Sequence, residues 1–154
     1  MNPLEPLLRL SGRYAGPSRL WMSPDDPPHD CASTAVVSGA IGDRFVQIDY
    51  RWAFEGQPQE GRLLLGYEAQ GEGVTIVWAD TWHMGDALMV CRGQVDPGGT
   101  VAVRGSYAAP PGPDWGWRIE IAPAGDDAFQ IDMYNVTPDG QEALAVRATY
   151  ERNE

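Results

Sequence analysis

Glycine and proline punctuate this chain at short intervals, and their spacing constrains the fold more than any other feature. The 18 glycines and 13 prolines are scattered along all 154 residues and are not gathered in one linker. Between them lie runs with alternating apolar and polar residues, or runs enriched in β-branched and aromatic residues, and both patterns are typical of strands. After the first dozen residues no amphipathic stretch has a useful helical length. The pattern predicts an all-β chain.

The runs predict about ten strands after a helical turn at residues 5–10. The strands are expected at residues 12–19, 32–41, 44–54, 61–69, 73–81, 87–95, 100–108, 115–122, 128–136 and 141–150. Connectors such as 96–99 and 138–140 contain the glycines that tight antiparallel turns need, so neighbours in sequence should pair. A meander has two free edges unless it closes. We therefore predict a single antiparallel up-and-down β-barrel, one domain over residues 1–154, with a β-sandwich as the alternative.

The charge balance argues against two classes of partner. There are 22 acidic and 11 basic residues, which gives a net charge of −11. This charge opposes the phosphate contacts of nucleic-acid binding and repels anionic membranes, so we expect neither partner. All the basic residues are arginine, which excludes Schiff-base chemistry and a P-loop lysine.

The N-terminal residues and the cysteines predict a cytoplasmic protein. Residues 1–12 lack a basic region followed by a continuous apolar run, so they do not resemble a secretory signal. No segment approaches the length of a membrane span. The two cysteines, Cys31 and Cys91, are then expected to be reduced thiols.

One carboxylate occupies an unusual position. In residues 73–86, Asp80 stands between Trp78 and Trp82. In an extended strand alternate side chains share a face, so Asp80 would lie on the apolar face with both indoles. An unpaired charge there would be costly to desolvate. Asp80 is therefore either a satisfied structural acid or the polar anchor of a pocket.

Several short motifs give the chain a family resemblance. They are LSGRYAG at residues 10–16, LGY at 65–67, WAD at 78–80, DG at 139–140 and YER at 150–152. Together they resemble the DUF1579 family of uncharacterised bacterial proteins, which implies a lipocalin- or calycin-like barrel and no established activity. The nitrobindin-like haem barrels are similar at the first strand, but they bind haem through a histidine near the C-terminus. The last predicted strand here has no histidine, so we expect no haem bound in that mode and no cofactor.

The aromatic residues on predicted strands are either simple barrel packing or the lining of a cavity. In the second interpretation the cavity binds a small, partly apolar molecule, Asp80 is its polar anchor, and an inward arginine pairs with Asp80. The candidate ligand-binding residues are Trp52, Tyr67, Trp78 and Trp117 as walls, Asp80 as anchor, Trp82 and His83 at the rim, and Arg92 and Arg104 as partners of the anchor.

Metal and nucleophile patterns are weak. The spacing of His29, Cys31, His83 and Cys91 matches no zinc finger or ribbon. There is no Gly-x-Ser-x-Gly elbow, and His29 and Cys31 are expected in an exposed proline-rich loop. We assign no metal ligand and no catalytic residue.

Three functions stay open at this point. The first is a small-molecule-binding barrel. The second is an isomerase or hydrolase that uses Asp80 as general base, which requires Asp80 to face an open cavity. The third is a structural or interaction protein with a filled barrel, in which an outer face that includes Val77 and Ala79 could form a homo-oligomer.

Overall fold

The fold, seen in a computed structural model, is a closed antiparallel barrel. Residues 2–70 and 72–153 are described. Ten strands follow one another around the barrel in sequence order, and β1 pairs with β10 to close it. The predicted all-β up-and-down barrel is confirmed, and the sandwich alternative is wrong.

The elements alternate with short connections. They are α1 (Glu5–Leu8), β1 (Gly12–Leu20), β2 (His29–Ala40), β3 (Phe45–Phe54), β4 (Gln57–Glu68), β5 (Gly73–Asp80), β6 (Met89–Val95), β7 (Val101–Tyr107), β8 (Trp115–Pro123), β9 (Ala128–Val136) and β10 (Glu142–Arg152). Within the described ranges, no helix has the length and apolar character that a membrane-spanning helix needs.

Two strands begin earlier than the sequence predicts. Glu55 and Gly56 have φ angles of 49° and 79°, so they form a two-residue turn and pairing of β3 with β4 starts directly beside it. β2 begins at His29, which pairs with the last residue of β1. His29 and Cys31 therefore lie on a strand, and their predicted place in a loop is wrong.

The barrel interior is filled from one end by the short helix. Leu4, Leu7 and Leu10 are at most 1% exposed and belong to the core. Burial of a leucine side chain contributes roughly 1.5–3 kcal/mol to stability. α1 lies at the end of the barrel that holds the β6–β7 turn, since a Cβ on Gly99 would contact Pro6. The predicted helical turn is thus a plug at one end of the barrel, and Asp80 and His83 lie toward the other end.

Candidate ligand-binding site

At the end opposite α1, a row across three strands places Asp80. The register pairs Tyr50 on β3 with Gly61 on β4, and Gly61 with Asp80 on β5. A Cβ on Gly61 would collide with the ring of Tyr50. The missing side chain therefore lets Tyr50 cross β4 and reach Asp80.

Asp80 accepts four hydrogen bonds. Its Oδ2 accepts from the Tyr50 hydroxyl at 2.6 Å and from Trp52 Nε1 at 3.2 Å. Its Oδ1 accepts from the backbone N–H groups of Trp82 at 2.9 Å and His83 at 3.0 Å. The Asp80 carbonyl also accepts from the N–H of Met84 at 2.9 Å. The side chain thus caps the turn that follows β5, and this turn carries Trp82 and His83.

These contacts define what Asp80 does. It is 2% exposed, and its four donors match the roughly four acceptor positions of a carboxylate. The Tyr50 hydroxyl keeps its proton, because burial and the neighbouring carboxylate raise the pKa of Tyr50 well above its ordinary value. Asp80 is therefore an anchor for the turn, and this geometry does not support its alternative role as general base.

The His83 ring lies among four indoles, which we call the indole cage (Trp52, Trp78, Trp82 and Trp117). Its centroid lies 4.8 Å from Trp82, 5.3 Å from Trp78, 5.4 Å from Trp117 and 5.8 Å from Trp52. Burial lowers the pKa of His83, and the charge of Asp80 opposes this shift only in part. At neutral pH the cage therefore holds a neutral imidazole.

Two cage indoles stack in parallel, but only one has a hydrogen-bond partner. Trp78 and Trp117 have centroids 5.5 Å apart and ring planes 10° apart. Trp78 Nε1 donates to the Tyr50 hydroxyl at 2.9 Å. Trp117 Nε1 is buried and has no partner among residues 2–70 and 72–153. The stack therefore joins a satisfied donor to an unsatisfied one.

A small cavity adjoins the cage. Ser33 donates to the carbonyl of Arg51 at 2.8 Å, and the Tyr150 hydroxyl lies 2.7 Å from Ser33 Oγ. The volume of this cavity is about 20 Å³, and a cavity of about 10–15 Å³ holds one water. The cavity is lined by Ser18, Leu20, Ser33, Tyr50, Trp52, Asp80, His83, Ile131, Met133, Val146, Ala148 and Tyr150.

Six of the nine predicted site residues converge. They are Trp52, Trp78, Asp80, Trp82, His83 and Trp117. Tyr67 does not join them, because it pairs with Val74 while Asp80 pairs with Gly61. Six residues of strand separate Tyr67 from Gly61, roughly 20 Å. Tyr67 thus contacts the core toward the α1 end, and its prediction as a wall of this cavity is wrong.

Arg92 and Arg104 are wrong as inward partners of Asp80. Their neighbours Cys91 and Val103 are buried, so strand alternation turns both arginines to the exposed outer face. The two residues are cross-strand neighbours, since the register places Arg92 of β6 beside Arg104 of β7. The donors to Asp80 are instead neutral groups.

Sequence reasoning missed several residues of the site. Alternation within residues 44–54 indicates only which face Tyr50 shares, and nothing local shows that its hydroxyl reaches across a strand. Gly61 begins the predicted strand 61–69, and nothing in the sequence gives it a role. Ser33 and Tyr150 come from strands that are distant in sequence and become neighbours only when the barrel closes. Only the alternation of Ser33 with Ala35 and Val37 could have indicated an inward hydroxyl.

The thiols and histidines do not come together. Within the described ranges, no three His, Cys, Asp or Glu side chains are grouped as metal ligands. Cys31 and Cys91 are free thiols, and burial raises the pKa of Cys91 to about 11. Cys91 therefore behaves as a small apolar core residue.

The fold and the site together define a closed ten-stranded barrel with a small interior cavity. A family model for a protein of unknown function, DUF1579, matches residues 3–152, and the chain belongs to this family. No curated protein matches it. Among solved structures, that of Rv2717c from M. tuberculosis is similar, with a TM-score of 0.67, 15% identity and coverage of 100% of this chain and 99% of that one. At this identity the likeness concerns the fold.

Proposed function

We propose that the protein binds a small, partly apolar molecule in the cavity at the His83 end of the barrel. The observation that carries this proposal is the composition of the wall. Ligand sites are mostly apolar with a few polar groups that fix orientation. Here Leu20, Ile131, Met133 and Val146 supply apolar surface. Hydroxyls and the His83 ring supply the polar groups.

The size of the cavity restricts the ligand. A cavity volume of about 20 Å³ holds one or two waters. A fatty acid or a tetrapyrrole does not fit this space. The ligand we propose therefore has a few heavy atoms, or it displaces a lining side chain when it enters.

The experiment pairs a panel of ligands with a filled cavity. The panel contains straight-chain alcohols, carboxylic acids and ammonium compounds of two to eight carbons, and binding is read by ligand-observed saturation-transfer NMR. Ala148→Leu fills the cavity, since Ala148 is 4% exposed and lines it. Ala79→Leu is the matched control, because Ala79 lies on the outer face of β5.

We expect at least one class of the panel to bind the wild-type protein and Ala79→Leu. The signal should be lost in Ala148→Leu. If no panel member binds the wild-type protein, or if Ala148→Leu binds as the wild-type protein does, the interior-site proposal is wrong.

A further inference from the structure

The indole cage surrounds one position with aromatic rings on several sides. A cation that lies over the face of an aromatic ring, within about 6 Å of its centroid, is attracted by the ring quadrupole, and recognition of quaternary ammonium groups uses such faces. The His83 ring lies within this distance of all four indoles of the cage, at 4.8–5.8 Å. The ring marks where the head group of a compact cation would lie.

A buried carboxylate beside the cage has no balancing cation. Asp80 is 2% exposed, and its donors are two backbone N–H groups, a hydroxyl and an indole. No ion pair with Asp80 occurs in the described part of the chain. These donors satisfy its oxygens, but the charge has no counterion among the described residues, so a cation at the cage would gain from the field of the carboxylate. The net charge of −11 also raises the local concentration of cations.

The His83 imidazole does not supply that cation at neutral pH. Its burial favours the neutral form. A quaternary ammonium differs because its charge is spread over alkyl groups and it has no N–H donors to leave unsatisfied, so it loses less on leaving water than an imidazolium does. The site therefore suits such a head group better than it suits the charged form of its own imidazole.

The His83 ring is held in the cage by packing alone. Its backbone N–H is fixed by Asp80, but no hydrogen bond to its ring nitrogens occurs in the described ranges. Rotation about the side-chain bonds would move the ring while the turn stays in place. Because His83 lines both the cage and the cavity, this rotation joins the two spaces. The apolar wall at Leu20, Met133 and Val146 then faces the rest of the ligand.

We propose that the site binds a compact organic cation of the alkyl- or quaternary-ammonium class, whose head group replaces the His83 ring in the indole cage beside Asp80. This inference rests on the proposed function, since it names the chemistry of the molecule bound in the same cavity. The alkyl part of the ligand lies against the apolar wall.

The test compares an ammonium with its neutral isostere. Choline and 3,3-dimethylbutan-1-ol have nearly the same shape, and carbon replaces the charged nitrogen in the second. Each is titrated into the wild-type protein at constant ionic strength, with sodium chloride as the salt control, and binding is read by calorimetry and tryptophan fluorescence. We expect choline to bind at least about tenfold more tightly, which a desolvated cation–π contact supports.

Two variants locate the effect. His83→Ala empties the cage and keeps the backbone N–H that Asp80 holds, so choline should bind several-fold more tightly than to the wild-type protein. Asp80→Asn should reduce the preference for choline over the neutral isostere. If the isostere binds as well as choline to the wild-type protein and to His83→Ala, the cation inference is wrong while the interior site stands. If neither compound binds either protein, the cation inference is wrong, and if the earlier panel also fails, the interior-site proposal is wrong as well.

Discussion

Replacing Asp80 with asparagine tests how the turn after β5 is held. Asparagine keeps the shape of the side chain, and its Oδ1 can still accept from the N–H groups of Trp82 and His83. Its NH₂ group, however, takes the place of Oδ2 and faces two donors, the Tyr50 hydroxyl and the Trp52 indole. The bond from the Trp52 indole is then lost, and the charge-assisted bond from the Tyr50 hydroxyl is replaced at best by a weaker neutral bond in which that hydroxyl accepts from the NH₂ group.

The structure sets the magnitude of this loss. A hydrogen bond to a charged group contributes about 1.5–3 kcal/mol. The Tyr50 bond is short, at 2.6 Å, and buried, so it takes the upper half of that range. The Trp52 bond is longer, at 3.2 Å, and the half-buried indole can turn to water, so we assign it about 1 kcal/mol. Removal of a buried charge returns part of the sum, and we expect a net loss of about 2–3 kcal/mol.

Urea unfolding followed by circular dichroism measures this change. Circular dichroism is preferred because the substitution alters the surroundings of several fluorescent indoles. Asp49→Asn is the matched control, since Asp49 is partly exposed and pairs with Arg62 at the surface. Its free energy of unfolding should change by no more than about 0.5–1 kcal/mol. If Asp80→Asn is as stable as the wild-type protein, the four hydrogen bonds only offset the burial of the charge, and the reasoning is wrong.

Three further predictions follow from the same contacts. Burial lowers the pKa of His83 below 6.5, so the unfolded chain binds the proton first as the pH falls. The urea midpoint should therefore drop between about pH 7 and pH 5. An equal drop in His83→Phe would contradict the assignment of this pH dependence to His83. Trp78→Phe removes the donor to the Tyr50 hydroxyl, whereas Trp117→Phe removes an N–H without a partner in the described ranges. In urea unfolding the first substitution should therefore cost about 1–2 kcal/mol more than the second. Equal costs would refute the hydrogen bond from Trp78 to Tyr50. Gly61→Ala should lower the free energy of unfolding by about 2 kcal/mol or more, since the new methyl group collides with Tyr50. An unchanged melting temperature would show that Tyr50 does not cross β4 at this point.

The sequence predicts the strands well because their alternation is local. In β5, Val74, Ile76, Trp78 and Asp80 are buried and the residues between them are not, as the period of two requires. Glycine positions also predict most turns. The early starts of β2 and β4 escape prediction because prolines at 27, 28 and 58 suggest loops, while the β2 ladder begins directly after Pro28 and the β4 ladder runs through Pro58.

The candidate site is only partly predictable, because alternation gives the face of a residue and not its height along the barrel. Tyr67 and Trp78 share the inward face, yet they lie toward opposite ends. The hydrogen-bond partners of Asp80 are not predictable from the sequence for a related reason. Tyr50 comes from two strands away and reaches the carboxylate only across Gly61. Such contacts depend on register, which no local pattern fixes.

The most direct test of the interior site uses the indole N–H signals as reporters. The chain has six tryptophans, and their signals are separable in a ¹⁵N–¹H spectrum once each is assigned by a Trp→Phe variant. During titration with choline, or with the tightest-binding member of the panel, we predict that the signals of Trp52, Trp78 and Trp117 shift and saturate together. Those of Trp21 and Trp115, which lie outside the cage and the cavity lining, should stay in place. Shifts confined to Trp21 and Trp115, or no saturable shift at any cage indole, would contradict ligand binding inside the barrel.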